Sequence, residues 1–158
     1  LFGAGFIGSP SMNFVSGRLT EGGVTTSLGE IRLSDEARQK IASKNAKGDV
    51  VVGIRPEHLE DASLVESYQK LNGTTFSARV EVLESMGSDK YIYFSADGPK
   101  VTSRELDELA ADSGADGGQL VARLSAESAA RMGESIELWF DQKRVSVFDV
   151  ESGANLTL

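Results

Sequence analysis

Residues 49–54 place three consecutive valines and Ile54 between Gly48 and Pro56. A short β-branched run with such borders suits a strand inside a covered sheet better than a helix. Pro56 carries no amide hydrogen and favours an extended Arg55, so the strand must end at a turn where Arg55, Glu57 and His58 cluster. Downstream, Phe76, Ala78, Val80 and Val82 alternate with Ser77, Arg79 and Glu81, the period-two pattern of a half-buried strand. Gly87-Ser88-Asp89 turns it back into Tyr91–Phe94, giving a hairpin. Residues 12–19 and 24–33 read as an earlier hairpin joined at Glu21-Gly22-Gly23, where glycine supplies the turn. Val121–Leu124 is a further strand. Ile136, Leu138 and Phe140, then Val145, Val147, Phe148 and Val150 beyond the turn at 141–144, predict a third hairpin.

Helical signals are fewer. Ser34 caps a segment that opens with Asp35 and Glu36 and closes with Lys40, Lys44 and Lys47, matching the helix dipole at both ends. A short helix over 35–44 follows, lying on the surface because its apolar face, Ala37 and Ile41, is thin. A second is predicted over 125–132, capped by Ser125 and stopped at Gly133. Leu106, Leu109 and Ala110 predict a third over 103–112, inside an excursion from Asp97 to Gly118. Residues 63–74 carry no clear period. Short strands at close spacing with small helices point to a mainly β, Greek-key or barrel-like architecture.

Composition narrows the function classes. With 158 residues there is room for one ordinary domain, or two very small ones sharing a core. The net charge of −8 argues against nucleic acid as a partner. With 0 cysteines there are no disulfides, thiolate metal sites or thiol nucleophiles, and His58, the 1 histidine, has no second imidazole with which to hold zinc. No apolar run approaches the length of a membrane span. The opening LFGAGFIGSP lacks a methionine and reads as the interior of a longer polypeptide.

Chemical motifs are sparse. Gly3-Ala4-Gly5-Phe6-Ile7-Gly8 spells GxGxxG, but Pro10 and Asn13 spoil the helix a dinucleotide would need, and no βαβ unit surrounds it. No GxxxxGK[ST] occurs, so no loop cradles the phosphates of ATP. No GxSxG elbow accompanies His58, and the trio Arg55, Glu57 and His58 reads as a structural or regulatory corner, with an independent hydrolase as the rival. Glu57 with Glu60 could flank a glycosidic bond, but an acidic solvated loop is the simpler account. Tyr91 and Tyr93 share one strand face and Ile92 and Phe94 the other, so one face must be core. No catalytic, cofactor-binding or metal residue is assigned.

Taken together in order and spacing, FIGSPSMNF at 6–14, GIRPEHL at 53–59, VEVLESMGSDKYIYF at 80–94, LVARL at 120–124 and LWFDQKRVSVFDVESG at 138–153 resemble the C-terminal region of ATP-binding subunits of carbohydrate ABC importers. The maltose and glycerol-phosphate systems belong to that family. The resemblance implies an OB-like β-barrel of the TOBE type, with two or three short helices. It also implies a regulatory role beside a nucleotide-binding domain that is absent here, and that domain would hold ATP and Mg. The implied partners are a second copy of the subunit, transmembrane permeases and an external sugar-binding protein, at the cytoplasmic face of the cell membrane. The fragment itself is expected to be no enzyme. Trp139, Phe140 and Phe148 lie in the most family-like stretch and are the candidates for self-association. The organisation expected is one unit over 1–158, or two interleaved OB-like subdomains, about 1–62 plus 134–158 and 73–133. A small-ligand or oxyanion sensor is the alternative, since related TOBE barrels bind molybdate. The excursion 97–118 is longer than the family's barrel loop.

Overall fold

The valine run forms the inner strand of a sheet with apolar packing on both faces. The structure, a computed structural model, describes residues 12–46, 48–96 and 119–158. Its elements are β1 (Asn13–Leu19), β2 (Gly23–Thr26), β3 (Gly29–Arg32), α1 (Asp35–Ser43), β4 (Asp49–Ile54), β5 (Glu60–Asp61), α2 (Ser67–Lys70), β6 (Gly73–Met86), β7 (Asp89–Ala96), β8 (Leu120–Ser125), β9 (Ser135–Asp141) and β10 (Val145–Asp149). They form two five-stranded sheets, ordered β10-β4-β1-β2-β3 and β5-β9-β6-β7-β8. Every pairing within them is antiparallel. The described residues are therefore mainly β, with two short α-helices and two antiparallel sheets that do not close into one cylinder.

Alternation along β4 explains its unbroken apolar run. Val50, Val52 and Ile54 point into the main core, which joins both sheets through Val15, Ile31, Phe76, Phe94, Leu138 and Phe140. Val51 points the other way, into a smaller cluster with Phe14 and Phe148. Rings of Phe76 and Phe94, and of Phe76 and Phe140, lie 6.0 Å apart in the main core. Phe14 and Phe148 meet edge to face at 5.9 Å in the smaller one. Each of these buried side chains contributes about 1.5–3 kcal/mol.

Helix α1 forms where its caps predict: the Ser34 hydroxyl accepts from the Ala37 amide at 3.2 Å, and only Ile41 of the helix is buried. The hairpin turning at Gly87 is also present, Gly87 having φ 78°, a left-handed conformation that suits glycine. Three expectations need correction. Residues 24–33 are not one strand, because the Thr26 hydroxyl accepts from Leu28 N and donates to Gly29 O, making a turn between β2 and β3. Strands β9 and β10 do not form a hairpin: a tight helical turn, Gln142–Arg144, carries the chain across, so that β9 pairs with β6 and β10 with β4. The Asp141 carboxylate caps that turn by accepting from Lys143 N at 2.8 Å.

The third correction is the helix over 125–132, which is a pair of serine-stabilised turns. Ser125 Oγ accepts from Glu127 N and Ser128 Oγ from Ala130 N, each at 3.2 Å. Serine hydroxyls thus take amides that a helix would have used. The second α-helix among the described residues is instead α2, in the stretch without a period. The helix expected over 103–112, the excursion 97–118 and the glycine motif at 3–8 lie outside the described residues.

Candidate functional site

Pro56 opens a single tight helical turn, Pro56–His58, in which His58 N donates to Arg55 O at 3.0 Å and Leu59 N to Pro56 O at 3.3 Å. Pro56 and Leu59 are buried, Arg55 and Glu57 are exposed, and His58 is half-buried. The turn therefore uses its apolar residues as anchors and presents its charges outward. His58 Nδ1 is buried and, among the described residues, has no hydrogen-bond partner. Burial pushes the His58 pKa below its ordinary value of 6.5; Glu57 works against this, while Arg144 and Arg55 add to it. Among the described residues no carboxylate or hydroxyl bonds that nitrogen, so they supply neither the orienting group nor the nucleophile that a hydrolase triad places on its imidazole.

The acids beside it are occupied by structure. Glu60 Oε1 accepts from Asp61 N at 2.8 Å and from Ser125 N at 3.3 Å, which ties the corner to β8 and leaves Glu60 poorly suited to pair with Glu57 across a glycosidic bond. Asp61, only 4% exposed, accepts from Ser63 N at 2.9 Å, Ser63 Oγ at 2.7 Å and Ser128 Oγ at 2.6 Å. Burial alone would raise the Asp61 pKa. The hydrogen bonds from Ser128 and Ser63 outweigh it and hold the group below its ordinary 3.8. Asp61 was missed in the sequence, although the Asp61-Ala62-Ser63 spacing is that of a side chain bonding the backbone two residues on. Among the described residues no three His, Asp or Glu side chains converge to hold a metal ion.

The aromatic candidates separate. Phe140 is fully buried in the main core, and Phe148, 7% exposed, lies in the smaller cluster. Trp139 is half-buried, and its indole donates to Lys70 O at 3.3 Å. Trp139 is thus the one of the three whose ring reaches the surface. Tyr91 and Tyr93 are half-buried while Ile92 and Phe94 are fully buried, as their alternation predicts.

Residues 8–59 match the family model described as the MalK OB fold domain. Over the whole chain, 48% of residues are identical to the trehalose import ATP-binding protein SugC of Mycobacterium tuberculosis, of which the match covers 41%. The trehalose/maltose import ATP-binding protein MalK of Thermococcus litoralis is 31% identical over 96% of this chain and 36% of its own length. The oligosaccharides import ATP-binding protein MsmX of Bacillus subtilis is 29% identical, again over 96% of this chain and 36% of its own. Among solved structures, the molybdate-binding protein ModG superposes with a TM-score of 0.53 over 85% of this chain and 94% of its own, at 14% identity, a likeness of fold alone.

This chain is similar along its whole length to ATP-binding subunits of sugar importers, and its residues 8–59 match the MalK OB fold domain. It spans about two-fifths of the relatives it matches, 41% of the trehalose subunit.

Proposed function

We propose that this chain is the C-terminal regulatory and dimerisation region of the ATP-binding subunit of a carbohydrate ABC importer. In this reading ATP and Mg bind in a nucleotide-binding domain outside the chain, and hydrolysis there drives sugar import. The complete subunit works at the cytoplasmic face of the membrane with permease subunits and an external sugar-binding protein, and two copies pair through this region. The region acts as one unit, because its main core draws side chains from both sheets. The observation that carries the proposal is the identity of 48% along the full chain with a trehalose import subunit.

A chimera tests it. This chain replaces the matching segment of the Mycobacterium tuberculosis subunit, and trehalose uptake is measured in cells lacking the native subunit. Restored uptake is the expected result. A chimera that accumulates normally and hydrolyses ATP but restores no uptake would overturn the proposal.

A further inference from the structure

We propose that the cleft between β3 and the start of β6 binds a phosphorylated sugar. The proposal rests on the importer reading and gives it a ligand, a product of sugar phosphorylation inside the cell. Strand β3 is the outer strand of its sheet. Strand β6 pairs with β9 from Gly73 onward, but its pairing with β7 begins only at Ala78 among the described residues. The sheets thus leave a cleft of about 550 Å³, whose lining includes Arg32, Arg38, Glu30, Thr75, Gly22 and Gly73. That volume lies within the range of small-ligand sites, roughly 300–1,000 Å³.

The chemistry of the lining selects the ligand class. In a chain of net charge −8, two guanidinium groups facing one cleft are a local exception. Arg38 is shared with Asp35, whereas Arg32 makes no ion pair among the described residues. The planar fork of arginine matches two oxygens of a phosphate group. Among the described residues no aromatic ring lines the cleft, so they offer a neutral sugar no stacking surface there. The carboxylate of Glu30 lines the same cleft. Glu30, reached by Thr20 Oγ1 only at 3.5 Å, has acceptor capacity left for sugar hydroxyls, and the Thr75 hydroxyl adds a donor. A phosphate monoester of a sugar uses both halves of this lining, whereas inorganic phosphate uses only the arginine half.

Isothermal titration of the 158-residue chain at low salt, with glucose 6-phosphate, inorganic phosphate and glucose as probes, decides the matter. Glucose 6-phosphate is expected to bind saturably with one-to-one stoichiometry, inorganic phosphate about tenfold or more weakly, and glucose not at all. Arg32→Gln should weaken the ester by about tenfold, the size of one charge-assisted contact. Gly22→Leu provides a second variant: a Cβ at Gly22 meets nothing within 4 Å, so the side chain enters open space at the cleft and should block binding without altering the circular dichroism spectrum. Absence of glucose 6-phosphate binding overturns the proposal. So does equal affinity for inorganic phosphate, or unchanged binding by both variants. Uptake by the chimera reads the importer assignment independently: uptake without ester binding removes the site alone, and a chimera without uptake removes the importer reading.

Discussion

The carboxamide of Asn13 donates to Val121 O at 2.7 Å and accepts from Val121 N at 2.8 Å, so that one side chain bonds like a strand neighbour to β8. Asn13 is 4% exposed and Val121 3%. A buried polar pair of this kind fastens the two sheets together where no backbone ladder joins them. Asn13→Ala would leave both Val121 groups unpaired, at about 1–3 kcal/mol each. Urea denaturation should show a loss of about 2–4 kcal/mol. Asn13→Asp should lose more near neutral pH, since a carboxylate cannot donate to Val121 O. A loss below about 0.5 kcal/mol for both variants would contradict this role.

The bond between Asp61 and Ser128 holds the serine turns against β5. Ser128→Ala should cost about 1–3 kcal/mol, and a double-mutant cycle with Asp61→Asn should return a coupling of about 1–2 kcal/mol. The Asp61 pKa is depressed in the folded state. Its stabilisation is therefore complete above the ordinary 3.8 and lost as pH falls through the lower folded value. Asp61→Asn should flatten that part of the acid denaturation curve. An unchanged acid limb would show that the carboxylate has no such linkage.

His58 titrates in a different window. Its folded pKa is depressed, so the unfolded chain takes up the proton first, and stability declines as pH drops below 6.5 toward the folded value. Urea midpoints at about pH 7.5 and about pH 5.5 should differ for the parent chain and differ less for His58→Gln, the lower pH being the less stable. Equal pH dependence in both proteins would remove His58 from the account.

Gly73 and Gly22 offer a steric contrast. A Cβ at Gly73 would lie 2.1 Å from the Phe140 carbonyl oxygen, a backbone atom that cannot swing aside, whereas one at Gly22 meets nothing within 4 Å. Gly73→Ala should destabilise by about 1–3 kcal/mol or more, and Gly22→Ala should stay within about 0.5 kcal/mol. Thermal melting of the two variants side by side reads the difference.

Self-association through this region is expected to involve Trp139 and not Phe140, because the Phe140 ring is fully buried. Sedimentation equilibrium should show a reversible dimer that Trp139→Ala shifts toward monomer. A monomer mass at high micromolar concentration would exclude independent pairing and leave the importer assignment standing.

What could be read from the residues followed local physics. The strand Asp49–Ile54, the hairpin at Gly87 and the Ser34 cap each depend on neighbours a few positions away, and each is present. The errors came from distance. Nothing near Phe148 reveals that its strand pairs with Val51 instead of returning along β9. Nothing near Ser128 announces Asp61, 67 positions earlier, as the partner that favours a turn there. At the corner, exposure of Arg55 and Glu57 follows from the buried Pro56 and Leu59, but the unpartnered imidazole nitrogen of His58 is visible only in the fold.

The placement of β10 beside β4 also sets an order of events. The valine strand β4 has β1 available on one side as soon as it is made, but its other neighbour, Val145–Asp149, leaves the ribosome nearly a hundred residues later. Until then an apolar strand edge stays open, and pairings of such sequence separation are slow to form. The nascent chain passes through that interval with an adhesive edge exposed, the condition under which strand edges favour aggregation.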